Sequence, residues 1–226
     1  MNIVPKERQI QVLNALVEGN SIRSTERMTD THRDTIMRLL GRAGDRCARL
    51  LDEKMRDLPC QNVQVDEIWT FVRKKQRMLT DKEKRNMGLG DQYCFVSLDS
   101  DSKLIISHCV GKRDGRTAIK FMLDLQRRLT NRIQLTTDGF DPYVWAVEGG
   151  FGSDVDYAQL VKLYASNGDA GRGRYAPPVC TEAIPTTING SPNPWKVSTS
   201  YVERQNLTMR MSMARLLGCP LPSQRS

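Results

Sequence analysis

Two carboxylates, Asp66 and Glu67, interrupt the apolar stretch VQVDEIWTFV at residues 63–72. An isolated ionised carboxylate in an apolar setting is costly unless it is paired or holds a metal ion, so these acids require a chemical explanation. Adjacent side chains of a strand point to opposite faces, which predicts that only one of the two faces any single site. Two further acids draw attention: Asp138 ends the stretch IQLTTD, and Glu203 lies in STSYVERQNLTMRM.

Three carboxylates from distant parts of a chain can together hold two divalent cations. Asp66, Asp138 and Glu203 would supply the oxygen ligands that Mg²⁺ prefers, with Mn²⁺ as a substitute. Two such ions, about 3.5 to 4 Å apart, would activate an attacking hydroxyl and stabilise the leaving oxygen of an in-line phosphoryl displacement. The three acids therefore predict metal-dependent chemistry on a phosphodiester.

Each acid also has a structural interpretation that involves no catalysis. Asp138 is followed by glycine, a pair typical of a turn at the end of a strand. Glu203 lies three residues after Ser200 and could be the acidic half of a capping box. Asp66 could pair with one of the many arginines, and Asp99, which ends the second strand, is a rival third acid.

The elements that would position these acids form an α/β domain. Strands are predicted at 63–72, 92–98, 103–110 and 133–138, and a helix at 115–129 with a buried stripe of Ile119, Met122, Leu123 and Leu129. Three antiparallel strands, a helix and a parallel strand ending in aspartate are the order of a ribonuclease-H-like core, with an expected mixed five-stranded sheet flanked by helices. Other mixed sheets share this order.

The rest of the domain is less regular. The stretch DVDYAQLVKLYA, at residues 154–165, is predicted to be helical, and 166–198 reads as a Gly/Pro-rich insertion in loop conformation. A last helix, capped at Thr199 or Ser200, closes the domain. The catalytic domain would thus span 59–226.

An all-α domain is predicted at residues 1–58, with three short helices followed by a helical connector. The first helix would bury Ile10, Leu13, Leu16 and Val17, Ser21 would cap the second, and the third would bury Ile36, Leu39 and Leu40. A tight turn before the third helix predicts a helix-turn-helix, whose last helix would lie in a DNA major groove. Any small helical bundle is the alternative, and eleven Lys/Arg against nine acids make this region only weakly basic.

The whole chain is basic, with a net charge of +8 and a pI of about 9.3, which favours a polyanionic partner. Residues 73–90 carry seven Lys/Arg against two acids. No apolar run approaches the about 18 residues of a membrane span, and no secretory signal is present, so a cytoplasmic location is expected. Six cysteines without a C-x-x-C spacing, and only two histidines, argue against a zinc site or a disulfide framework.

The segments QVDEIWTFV, LTTDGF, DVDYAQLVKLY and STSYVERQNLTMRM resemble the DDE-type transposases of bacterial insertion sequences, specifically the insertion sequence one family in its long form. The resemblance runs from the N-terminal helices to about Met213. It implies that Asp66, Asp138 and Glu203 are a Mg²⁺-binding catalytic triad in a ribonuclease-H-like fold. It also implies binding of the element's terminal inverted repeats, 3′ end cleavage there, and strand transfer into target DNA.

The expected partners are therefore double-stranded DNA and further copies of the chain, because joining two DNA ends generally calls for two active sites. The expected DNA contacts lie in the third helix, in residues 73–90 and in the last helix: Arg33, Arg38, Arg42, Lys74, Lys75, Arg204, Asn206 and Arg210. Members of the family continue into a longer basic tail, whereas this chain ends 23 residues after Glu203. Two alternatives follow: a shortened product that represses transposition by binding DNA without catalysis, and a structure-selective nuclease.

Overall fold

The computed structural model of the protein describes residues 4–165 and 179–213, and these residues form two compact units. The first unit comprises 4–56 and 207–213, and the second comprises 57–165 and 179–206. Among the helices in these ranges, none combines the length and hydropathy needed to cross a membrane. The first part of the predicted Gly/Pro-rich insertion, up to residue 178, lies outside the described residues.

Three helices build the first unit: α1 (Lys6–Val17), α2 (Ile22–Thr29) and α3 (Arg33–Lys54). The Ser21 hydroxyl accepts a hydrogen bond from the Ser24 N–H at 3.1 Å, which caps α2 as predicted. The predicted helix and connector form one continuous helix, α3. Its start is capped by His32, whose Nδ1 accepts from the Asp34 N–H at 3.3 Å.

The core of the first unit is narrower than predicted, with Val12, Ile36 and Leu39 at its centre. The predicted apolar faces were partly wrong, because Ile10 is 49% exposed and Leu40 is 42% exposed. Val17 is exposed as well, and Ala15 is buried instead. The three helices enclose only a thin apolar stripe, so residues at the margin of each predicted face stay in water.

The second unit is built on a six-stranded mixed sheet with the order β3-β2-β1-β4-β5-β6. Strands β1 to β3 are antiparallel, β4 is parallel to β1, β5 is parallel to β4, and β6 is antiparallel to β5. The strands are β1 (Asn62–Val72), β2 (Gly90–Asp99), β3 (Ile105–Gly111), β4 (Ile133–Asp138), β5 (Val155–Ala165) and β6 (Val179–Asn189).

Helices flank this sheet, and the main core lies between β1, β2, β4 and the helices α5 and α6. The helices are α4 (Asp81–Lys84), α5 (Gly115–Gln126), α6 (Pro142–Phe151) and α7 (Ser200–Ser212), with short 3₁₀ turns at Gln76–Met78 and Pro194–Lys196. Helix α5 buries Ala118, Phe121, Met122 and Leu125, whereas the predicted Leu123 is 37% exposed. The predicted stripe was rotated because α5 packs on both the sheet and α6.

Two predictions about the second half of this unit were wrong. Residues 154–165 form strand β5 rather than a helix, so the sheet has six strands rather than five. Strand β6 occupies part of the segment predicted as a loop. Among the described strands it pairs with β5 alone, and such an edge strand tolerates Pro185, which cannot donate a backbone hydrogen bond.

Candidate functional site

The sheet places Asp66 and Asp138 side by side. Parallel pairing between β1 and β4 runs to Gln64 and Thr136, and each aspartate stands two residues beyond that last recorded pair. Side chains two residues apart lie on the same face of a strand, so this register places the Asp66 and Asp138 carboxylates next to each other. The predicted proximity of Asp66, inside one strand, and Asp138, at the end of another, is thus explained by the parallel pairing of these neighbouring strands.

Glu67 joins these two aspartates. One carboxylate oxygen from each of Asp66, Glu67 and Asp138 lies within 4.8 Å of the other two. The expectation that only one of the adjacent acids faces a single site was therefore wrong. Asp66 and Glu67 do leave β1 on opposite faces, but the last recorded pair with β4 comes before them, and Asp138 can approach both.

Arg113, which follows β3, neutralises part of this acidic cluster. Its Nε lies 3.4 Å from Glu67 Oε2, and its Nη2 donates to Asp138 Oδ2 at 3.1 Å. The guanidinium carbon lies 4.0 Å from the centre of the Phe140 ring, and the Phe140 N–H donates to Asp138 Oδ1 at 3.1 Å. A cation thus already stands between two of the three carboxylates.

Burial and mutual repulsion disfavour the ionised forms of the three acids. Burial, and then the charge of Asp138, raise the pKa of the Glu67 carboxyl to about 7. Burial also raises the pKa of Asp66, with smaller contributions from the charges of Asp138 and Glu203. The pKa of Asp138 is raised by burial against the opposing effects of the Phe140 N–H and Arg113. A bound cation would offset all three shifts.

The donor set fits a hard divalent cation. Every candidate ligand atom is an oxygen, which is what Mg²⁺ and Mn²⁺ take up. The Glu67 carboxylate has the buried Tyr143 hydroxyl as a hydrogen-bond partner, which lowers the pKa of Glu67. Asn206 Oδ1, beside the cluster, is buried without a hydrogen-bond partner among the described residues. Buried polar atoms are almost always satisfied, so this oxygen favours a site built for an additional group.

The start of α7 is attached to β1 next to the cluster. Gln64 Oε1 accepts from the backbone N–H groups of Tyr201 at 3.0 Å and Val202 at 3.2 Å. One turn further along α7, Asn206 Nδ2 donates to Asp66 Oδ2 at 2.8 Å. This contact orients the Asp66 carboxylate. It also gives Asn206, predicted as a DNA contact, a partner within the protein.

Glu203 lies beside the cluster rather than within it. Its Oε1 accepts hydrogen bonds from the Lys162 ammonium on β5 and from the Thr199 hydroxyl. The side chain is 43% exposed, and its charge contributes to the raised pKa of Asp66. The contact with Thr199 differs from a capping box, in which Ser200 and Glu203 would exchange hydrogen bonds with backbone N–H groups.

The predicted DNA-contact residues are distributed over both units. Arg33, Arg38 and Arg42 are exposed along α3, and Arg204 is exposed on α7, where Arg210 lies two turns beyond Glu203. Lys74 Nζ lies 3.2 Å from Glu83, and Lys75 Nζ lies 5.5 Å from the centre of the Trp69 ring. The rival acid Asp99 pairs with Val63 in the register and accepts from the Ser102 hydroxyl and N–H at the turn that follows β2.

Sequence reasoning missed four residues of this site: Glu67 as a member of the cluster, Arg113, Gln64 and Lys162. Glu67 and Gln64 carried a sequence signal, because a charged or polar side chain inside an apolar strand calls for a polar partner. Arg113 and Lys162 are two among 34 basic residues, and their spacing along the chain does not distinguish them.

Glu67 makes the stability of the metal-free protein depend on pH. The raised pKa means that the folded state holds the Glu67 proton more tightly than the unfolded state, whose value is about 4.5. Its contribution is fully present below pH 4.5 and is lost as the pH rises through about 7.

In EDTA, we expect urea denaturation to show lower stability at pH 8 than at pH 5, and a weaker dependence in Glu67→Gln, by on the order of 1 kcal/mol. The exposed Glu148→Gln should retain the original dependence; an unchanged dependence in Glu67→Gln would contradict the assignment.

Comparisons with known proteins give distant structural similarity. No family model matches the sequence, and no curated protein matches it. Among solved structures, the protein is similar to a chain of the piggyBac transposase synaptic complex with hairpin DNA, determined by cryo-EM. The two share 11% sequence identity with a TM-score of 0.38, and the match covers 94% of this chain and 59% of that chain.

Proposed function

We propose that the protein is a DDE-type DNA transposase that cleaves and joins DNA at the terminal inverted repeats of an insertion sequence. The observation that carries this proposal is the convergence of Asp66 and Asp138 from neighbouring parallel strands, with Glu203 beside them on α7. The order β3-β2-β1-β4-β5 supports a ribonuclease-H-like assignment for the second unit, to which β6 is an addition. The resemblance of four sequence segments to the insertion sequence one family supports the choice of reaction.

Asp66, Asp138 and Glu203 would hold two Mg²⁺ ions, or Mn²⁺ in their place, with Glu67 available as a further oxygen ligand. When bound, the ions activate the attacking hydroxyl and stabilise the leaving oxygen. The chain itself orients the ligands: Asn206 fixes Asp66, the Phe140 N–H fixes Asp138, and Gln64 fixes the helix that carries Glu203.

Two basic side chains have a second role in this proposal. Arg113 and Lys162 neutralise Asp138 and Glu203 while the site holds no metal. If those carboxylates held cations, both basic groups would be available to a DNA phosphate. Arginine suits this role because its planar donors match phosphate oxygens.

DNA recognition is assigned to both units. Helices α2 and α3 would act as a helix-turn-helix, with Arg33, Arg38 and Arg42 on the exposed side of the second of these helices. Lys74, Lys75, Arg204 and Arg210 would contact the phosphate backbone, which positions the duplex without reading its sequence. The working form would be a homo-oligomer in the cytoplasm, bound to two transposon ends.

The direct test is a cleavage assay on labelled duplexes that carry the DNA flanking the gene, with Mg²⁺ or Mn²⁺. We expect cation-dependent 3′ cutting at a repeat by the native chain and none by Glu203→Gln. Glu182→Gln, a substitution of an exposed acid on β6, is the matched control and should cut normally.

A repressor without catalysis is the second candidate, and the ion pair of Glu203 with Lys162 is the observation that favours it. This candidate predicts binding to the flanking DNA without cutting by the native chain or any variant. A structure-selective nuclease would cut branched DNA without joining the released 3′ end to a target.

A further inference from the structure

A groove of about 380 Å³ lies beside the start of α7, within the second unit. It combines side chains of β1, the turn after β2, and the segment that precedes α7. Its lining includes Asn62, Gln64, Asp101, Lys103, Trp195 and Tyr201. None of them belongs to the acidic cluster.

Trp195 is the most unusual residue of this groove, because its side chain is 96% exposed. Burying an aromatic side chain contributes roughly 1.5–3 kcal/mol, so a folded protein rarely leaves an indole in water without a use for it. The backbone that carries this ring is held in a turn. Asn193 Oδ1 accepts from the backbone N–H of Trp195 at 3.0 Å, and the Asn193 backbone exchanges two hydrogen bonds with the Gln134 side chain on β4, at 2.8 and 3.1 Å.

Positive charge accompanies the exposed aromatic rings. Lys103 Nζ lies 3.2 Å from the centre of the Tyr201 ring, a cation–π contact, and also donates to the Ser100 carbonyl. Lys196 follows Trp195 directly and lines the groove as well. The one acid in the lining, Asp101, accepts a hydrogen bond from the Asn62 amide at 3.1 Å.

We propose that this groove binds an unpaired nucleotide of the DNA strand that the protein processes. The base stacks on Trp195, and Lys103 and Lys196 contact the adjoining phosphates. Proteins that bind single strands combine these two features, because every base has a face that stacks and every nucleotide has a phosphate. The inference rests on the proposed DNA-processing function.

The position of the groove fits this role. Gln64 and Asn62 lie two and four residues before Asp66 on the same face of β1. At a rise of about 3.3 Å per residue, Asn62 is roughly 13 Å from Asp66, which equals about four stacked nucleotides. The groove, which Asn62 and Gln64 line, therefore lies within the length of a few nucleotides of the acidic cluster.

The test compares binding of two fluorescein-labelled strands of equal length by fluorescence anisotropy in EDTA. One is a short oligothymidylate, and the other is an abasic oligonucleotide with the same number of phosphates. We expect the native chain to prefer the oligothymidylate by about tenfold. Trp195→Ala should bind both strands equally, and Trp195→Phe should retain the preference because phenylalanine also stacks.

Tyr164→Ala, which removes a half-exposed aromatic ring on β5, is the matched control and should keep the preference. Melting temperatures should be the same in all variants, since both rings lie largely in water. A preference that survives in Trp195→Ala, or none in the native chain, would overturn the inference. EDTA prevents cleavage, so base preference is measured separately from cutting. A chain that prefers the oligothymidylate but does not cut in the cleavage assay would refute only the proposed catalysis. A chain that cuts without this preference would refute only the proposed role of the groove.

Discussion

Replacement of Asp138 by asparagine is expected to reduce metal-dependent DNA cleavage by at least about 10³-fold, while leaving DNA binding unchanged. Asparagine has nearly the same shape, and its carbonyl oxygen can still accept from the Phe140 N–H, so the end of β4 should keep its conformation. The negative charge that a cation requires is lost. The new amide can also present its N–H donors to Arg113, which has no acceptor to offer.

The measurement pairs gel-based cleavage of flanking DNA with anisotropy of the same duplex. Asp141→Asn is the matched control, because it makes the same change at an exposed carboxylate three residues later. We expect that variant to cut at the native rate. Normal cutting by Asp138→Asn would remove this residue from the site and leave Asp66 and Glu203 without a partner on β4.

Asp66 and Asp138 could be proposed from the sequence because each is marked by its local sequence context. A carboxylate within an apolar strand, and another at the end of a strand, both contradict the surrounding pattern, and a helix between two strands predicts that they are parallel. The four strands at 63–72, 92–98, 103–110 and 133–138 are present within one or two residues of their predicted bounds. These four strands were predictable because each of them is rich in β-branched or aromatic residues.

Strand β5 was mistaken for a helix for a physical reason. It lies between β4 and β6, with apolar residues on both faces, so its sequence lacks the alternation of a half-buried strand. Tyr157, Leu160, Val161 and Tyr164 are also spaced as one face of a helix would be. A short apolar run of this kind does not distinguish the two structures until its neighbours in the sheet are known.

The contacts that complete the site depend on tertiary structure alone. Arg113 reaches Glu67 across 46 residues of chain, and Lys162 reaches Glu203 across 41. Membership of Glu67 in the cluster depends on where pairing between β1 and β4 ends. Nothing in the local sequence marks that point.

Gln64 is the clearest example of such a contact, and its replacement by methionine is expected to lower the free energy of unfolding by on the order of 2–4 kcal/mol. The first N–H groups of a helix have no partner within the helix. Here one side-chain oxygen accepts from two of them, and Val202 is fully buried, so water cannot easily replace the lost acceptor. Methionine preserves the volume and removes the oxygen, which isolates the hydrogen bonds from the packing.

Gln64→Glu provides a partial rescue, because it restores the acceptor and the helix N-terminus offsets part of the cost of a buried negative charge near Asp66. Urea denaturation should place its stability between that of the native chain and that of Gln64→Met. Equal stability of the methionine variant and the native chain would show that α7 begins independently of this side chain. If the expected order holds, cleavage should fall in Gln64→Met as well, since Glu203 directly follows Val202 and Asn206 reaches Asp66 only from a helix held in this position.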